Sequence, residues 1–263
     1  MSKLLYANFF RMIRSRLFLI GMGFMFFAGS FLCFQQYRQL AEYGAHVKLD
    51  STFFVYTLMI GVISAVFCSL FVGVEYNDGT MRNKMIAGHK RTEIYFSNLI
   101  VNIAASCFMC GSYMLANVMV GIPFIGTLTI PAAKTLRIVV GSLITVVAFC
   151  SIFTMISCLI SSKAIAPVLC ILFAFLSITF LNEVQRILDN PEIWYDGTVN
   201  TAYVGGEERE KLEFIYHVLP TGQEMEYARR NIKNMNEMSV YSMGITVLST
   251  TVGIVFFKRK NMK

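Results

Sequence analysis

The sequence predicts an all-α integral membrane protein with six transmembrane helices and both termini in the cytoplasm. Three observations predict it: 56% of the 263 residues are hydrophobic, only 15% are charged, and the polar residues gather in compact breaks between long uncharged runs. An average soluble domain carries roughly 25% charged residues. Crossing ~30 Å of hydrocarbon takes roughly 20 apolar residues at about 1.5 Å each, and this chain has six stretches of that order.

The first span is expected over 17–34. It is uncharged, follows Arg11, Arg14 and Arg16, and has no A-x-A-like cleavage site after it, so it reads as a retained helix and not a signal peptide. The second covers 52–74. No charge occurs from Ile94 to Ala133, too long for one helix. Pro123 and Pro131, with Gly121 and Gly126, end the third span near residue 122 and leave an outer loop. Spans four and five, 138–162 and 164–182, meet at a tight turn, Ser161-Ser162-Lys163. The sixth, 239–257, precedes the tail KRKNMK. All of it forms one transmembrane domain, 1–263.

Charge distribution sets the orientation. With the amino terminus inside, the inner segments hold thirteen Lys and Arg against three acidic residues, the bias that cytoplasmic segments carry. A seven-span reading, with 94–133 folded into a hairpin, would throw the basic tail outside. The net charge of +7 is therefore a topology signal, helped by anionic membrane lipid and not by nucleic acid.

The outer segment, 183–238, has structure of its own. Met225, Ala228, Ile232 and Met235 recur at three- and four-residue steps over 222–238, which predicts an amphipathic helix lying on the outer leaflet. Trp194 and Tyr195 fit an interfacial belt.

Catalytic chemistry finds no support. His46, His89 and His217 are far apart, and no span carries His, Asp or Glu away from its ends. Cys107 and Cys110 form a C-x-x-C, but on one face of an apolar helix they act as small hydrophobes. Asn98, Asn102 and Asn117 are expected to hydrogen-bond between helices or to their own turns. AGHKRT lacks the Gly-Lys-Ser/Thr adjacency of a phosphate-binding loop. The chain binds no cofactor or metal on this reading, and any ATP-driven work needs another polypeptide.

The remaining feature is the charged island VEYNDGTMRNKMIAGHKRTEIY, 74–95. Asn77-Asp78-Gly79 breaks the second span. Asp78 or Thr80 is placed to cap a new start, and Thr80–Ala87 gives just over two helical turns. Met81 and Met85 share one face beside Ile86, while Arg82, Asn83 and Lys84 take others. Gly88 suits the position after a helix that needs positive φ. So short a helix is marginal in water, so something packs on its methionines: lipid headgroups or a protein cleft.

The run Glu75-Tyr76-Asn77-Asp78-Gly79-Thr80-Met81-Arg82 resembles the E-Y-x-x-G-T-x-[RK] signature of type 2 ABC exporter permeases, bacterial six-span membrane subunits of about this length. The resemblance implies that 75–93 is a coupling segment docking on a separate ABC ATPase subunit, which would use the ATP and Mg. Glu75, Tyr76, Gly79, Thr80, Met81, Arg82, Met85 and Gly88 would form that interface, and Ser161, Ser162 and Lys163 a second, smaller cytoplasmic contact. Asn77-Asp78 stands where many relatives carry a basic residue. The implied protein is the permease of an exporter in the bacterial cell membrane, paired with an identical or sister permease. It would move an amphipathic peptide, drug or lipid, and self-protection against antimicrobial peptides is a common role of similar permeases. Met225, Ile232 and Met235 mark the outer amphipathic segment, which would handle substrate or seal the exit, and the competing expectation is a non-transporting sensor or immunity protein that binds peptide through 183–238.

Overall fold

The computed structural model describes all residues except 45–47, 161, 196, 232 and 261–263. Ser161 and Ile232 thus lie outside the described residues. The described residues form helices and no named strand. In order they are α1 (Ser2–Arg14), α2 (Arg16–Tyr43), α3 (Asp50–Phe53), α4 (Tyr56–Asn77), α5 (Thr80–Ile86), α6 (Arg91–Ala116), α7 (Ile122–Ile125), α8 (Ala132–Leu159), α9 (Ile165–Leu188), α10 (Gly206–Val218), α11 (Pro220–Ala228) and α12 (Met235–Arg259).

Among the described residues, six segments are long and apolar enough to cross a membrane: Arg16–Tyr43, Asp50–Asn77, Arg91–Ile125, Ala132–Leu159, Ile165–Leu188 and Met235–Arg259. The number and order match the sequence expectation, and the helices overrun the apolar runs at most ends. α2 continues through Gln35–Tyr43 before Gly44 closes it in a left-handed conformation. Hydropathy marks where lipid would stop, whereas a helix continues until a residue breaks its hydrogen-bond ladder. The third span runs through a π-helical turn, Asn117–Gly121, before Pro123 and Gly126 end it.

α4 is central, packing on α6, α8 and α9, while α12 lies along α8 and α2 along α6. The asparagine amides inside the spans donate within the bundle: Asn102 Nδ2 to Thr154 Oγ1 at 2.8 Å, and Asn117 Nδ2 to the Tyr113 carbonyl at 3.1 Å. All seven cysteines are free and lie wholly or partly buried.

Two elements depart from the sequence reading. α1 is an additional amphipathic helix whose Leu4, Asn8 and Met12 are buried, chiefly against α6. The helix expected over 222–238 is broken. α11 ends at Ala228, Arg230 adopts φ 63°, and Met235 opens α12. α11 does not lie on a surface either, because every residue from Pro220 to Tyr227 is buried. Only Leu219 separates α10 from α11, so the two form a tight helical hairpin inserted against α4, α8 and α9. Met225 packs with Leu181, Val184 and Tyr216, whereas Met235 joins the main core. The two methionines share no stripe.

Candidate functional site

The Asn77-Asp78-Gly79 break makes the corner between α4 and α5. Gly79 sits at φ 64° and Gly88 at φ 87°, left-handed positions that favour glycine. Between them α5 spans Thr80–Ile86. Neither Asp78 nor Thr80 caps it by accepting a backbone N–H. The Thr80 hydroxyl instead donates back to the Glu75 carbonyl at 3.1 Å, tying the new helix to the old one. At the far end Gly88 N–H donates to the Met85 carbonyl at 3.0 Å and His89 N–H to Lys84 at 3.2 Å, the closing bonds of a left-handed helix end.

α5 is seated by one apolar and one ionic contact. Met81 is buried in the core of the chain's own bundle, with Met85 partly buried beside it. Glu75, in the last turn of α4, is wholly buried. Its carboxylate receives Lys84 from α5, Arg11 from α1 at 2.7 Å, and Asn98 Nδ2 from α6 at 3.0 Å. Asn8 completes the cluster, accepting from Lys84 at 2.9 Å and donating to Ser97 at 2.8 Å and Asn98 at 3.0 Å. The Arg11 guanidinium also stacks 3.9 Å from the Phe71 ring centre. Four helices are thereby joined at one carboxylate. Burial pulls the pKa of Arg11 and of Lys84 below its ordinary value, and the neighbouring Glu75 opposes that pull. A buried charge needs such company, since isolation in a low-dielectric interior is costly.

Tyr76 makes the second joint. Its hydroxyl donates to the Cys158 carbonyl at the end of α8 (2.5 Å), and Lys260 Nζ reaches the same hydroxyl at 3.0 Å and the same carbonyl at 2.9 Å. Burial lowers the Lys260 ammonium to about 8. Arg91 caps α12, donating to the carbonyls of Phe257, Lys258 and Lys260 at 3.1, 2.8 and 2.6 Å. The turn after α8 reaches the same corner, for a Cβ on Gly73 would lie 3.4 Å from Lys163 Cα. The Ser162 hydroxyl accepts from the N–H of Ile165, the first residue of α9, at 3.2 Å.

The island and the Ser162-Lys163 turn thus lie at one end of the bundle. Met81 and Met85 face inward, and the outward face of α5 is Arg82, Asn83, Ile86 and Ala87, with Ile86 74% exposed. Met225 and Met235 belong to the other end. The sequence reading misses Arg11, Asn8 and Asn98 as members of the site. The four-residue spacing Leu4-Asn8-Met12 is the signal that carries Asn8, because it places it on the buried stripe of an amphipathic helix.

Residues 8–262 match the family described as ABC-2 family transporter protein. No curated protein matches the chain at the significance required.

Proposed function

The chain belongs to the ABC-2 family of transporter proteins, and from that premise we propose that it exports an amphipathic substrate, driven through the 75–93 segment by a separate ATPase. Family membership makes it the membrane permease subunit of an ABC transporter and a multi-pass membrane protein, and such permeases normally work with an ABC ATPase subunit. The finer statements are our reading. The observation that carries it is the seating of α5: its inner side is clamped to α4, α1 and α6 through Met81 and the Glu75 cluster, while Arg82, Asn83 and Ile86 are left outward.

A helix held that way transmits force. Push on the outer face of a free two-turn helix and it rotates or melts. Push on α5 and the displacement passes through Lys84–Glu75 into α4, through Arg11 into α1, and through Asn98 into α6. Closure of the ATPase subunits around ATP would supply the push from the cytoplasmic side of the bacterial cell membrane. Rigid-body rocking of the spans between two arrangements would be the response. The Ser162-Lys163 turn, packed on Gly73, gives a second point of contact on the same helix. A second permease copy or a sister permease would complete the pathway against the spans' exposed apolar faces. The spans are mostly apolar with neutral hydroxyl and amide groups, which suits a peptide, drug or lipid cargo with a large apolar part.

Arg82→Glu tests this reading. It reverses charge on the outer face and removes no internal contact described for Arg82. The variant is expected to insert and fold normally while retaining less than about a tenth of wild-type ATPase binding in co-purification, the loss expected when a charged interface contact becomes repulsive. Full ATPase recovery with wild-type substrate-stimulated hydrolysis would overturn the coupling role.

A further inference from the structure

Between α4, α8, α9 and α11 lies a cavity of about 320 Å³, at the lower end of the range for small-molecule pockets. Its wall is mostly apolar, built from Val62, Phe149, Ile178 and Met225 among others. It reaches the bundle surface between α4 and α9, where Leu58 and Asn182 are exposed. Two charged residues border it. Arg229 is spent on Asp189, with guanidinium–carboxylate distances of 2.9 and 2.6 Å. Glu224 is not spent: it is 2% exposed, and among the described residues neither carboxyl oxygen has a hydrogen-bond partner.

The Tyr227 hydroxyl of α11 is unpartnered too among the described residues, but the neighbouring Gln223 is bonded at both ends of its amide. The Gln223 amide donates to the His217 carbonyl at 2.8 Å and accepts from Thr145 at 2.8 Å and Ser242 at 2.6 Å. The Glu224 carbonyl itself accepts from Thr57 at 2.9 Å. The backbone is therefore fixed, and the side chain alone is left without a partner. An unpaired buried carboxyl is unfavourable in either protonation state, because the ionised form lacks a counter-charge and the neutral form lacks an acceptor. Burial holds the Glu224 carboxyl well above the ordinary carboxylate range. A cation placed beside it relieves that cost.

We propose that this cavity binds an amphiphile carrying a primary ammonium group, its apolar body against Phe149, Val62 and Ile178 and its charge neutralised by Glu224. An ammonium brings three N–H donors and no acceptor, the complement of a carboxylate whose lone pairs have no donor. An anionic amphiphile would meet the same carboxylate as a repulsion, with Arg229 already paired. The inference rests on the transport reading for its biological meaning, since it narrows the substrate class. The site itself stands apart from ATPase coupling.

The test therefore uses the purified permease in nanodiscs without ATPase or ATP. The probe is dansylcadaverine, an aromatic body with a primary ammonium, compared with its N-acetyl derivative, which has the same body without the charge. Wild type is expected to bind the amine saturably and about tenfold or more tightly than the acetylated form, the lower bound for a hydrogen bond to a charged group. Glu224→Gln, nearly isosteric, should erase that preference and leave binding of the neutral form unchanged. Ile178→Trp, which fills the cavity from α9, should remove both. Equal wild-type affinity for the two probes, an intact preference in Glu224→Gln, or undiminished binding in Ile178→Trp would each overturn the proposal. None of these outcomes depends on Arg82 or on ATP, so failure here leaves the coupling reading to its own experiment.

Discussion

At the scale of one residue, Glu75 is a charge with no water to return to. It is wholly buried, and among the described residues its compensation is Arg11, Lys84 and Asn98. Removing the carboxylate leaves two cations facing each other without their shared partner, which is the expensive way to break a buried ionic cluster. Glu75→Gln is therefore expected to lower stability by about 3 kcal/mol, read as a large fall in the thermal unfolding temperature of the purified permease. Lys84→Met in the same background removes one orphaned cation and should recover part of the loss. A double variant no more stable than Glu75→Gln alone would mean that Lys84 is not held by Glu75. Part of this site was legible in sequence, since Gly79 and Gly88 stand where a short helix needs its left-handed ends, whereas Arg11, Asn8 and Asn98 were not. The direction of Met81 was not either. A two-turn helix with methionines on one side looks the same whether that side meets a partner or the chain's own core, and only the packing of α1 and α6 decides it.

At the scale of elements, the contrast between the spans and the α10–α11 hairpin shows what hydropathy can read. The six spans announce themselves because each satisfies its backbone internally and turns apolar side chains outward. α11 is buried too, but its sequence is PTGQEMEYA, which on composition belongs in water. The Glu224 carbonyl and the Gln223 amide are matched by Thr57, Thr145 and Ser242, partners distant in sequence, so no local pattern foretells the insertion. Gly222 is the steric condition for it. A Cβ there would lie 2.1 Å from the Tyr216 carbonyl oxygen, a backbone atom that cannot step aside without opening the α10–α11 corner. Gly222→Ala is expected to cost about 3 kcal/mol, the upper part of the usual range for overpacking. The same change at Gly244, where a Cβ would meet nothing within 4 Å, should be nearly neutral. Protease sensitivity between residues 190 and 235, with thermal unfolding, measures the difference. Equal behaviour of the two alanine variants would show that the hairpin is not tightly seated at Gly222.

At the scale of the whole molecule, the two unusual features sit at opposite ends of one helix. Thr57, which holds α11, opens α4, and Glu75, which holds α5, closes it. Eighteen residues of α-helix separate them, about 27 Å at the standard rise, close to the thickness of the hydrocarbon layer. α4 therefore runs directly from the α5 corner to the Glu224 cavity, and in the coupling reading it would carry a displacement between them. This geometry gives the coupling reading its meaning only if α5 faces the cytoplasm. The basic residues at that end, Arg11, Arg14, Arg16, Arg82, Lys84 and Lys90, argue that it does. The orientation is open to a direct measurement. Single cysteines at Arg82 and at Glu208, both exposed positions on opposite ends, would be labelled in whole cells with a membrane-impermeant maleimide, against the unaltered chain as background. Glu208→Cys is expected to react in intact cells and Arg82→Cys only after the membrane is opened. Labelling of Arg82→Cys in intact cells would invert the molecule, leaving α5 beyond the reach of any cytoplasmic ATPase and the Glu75 cluster with a structural role alone.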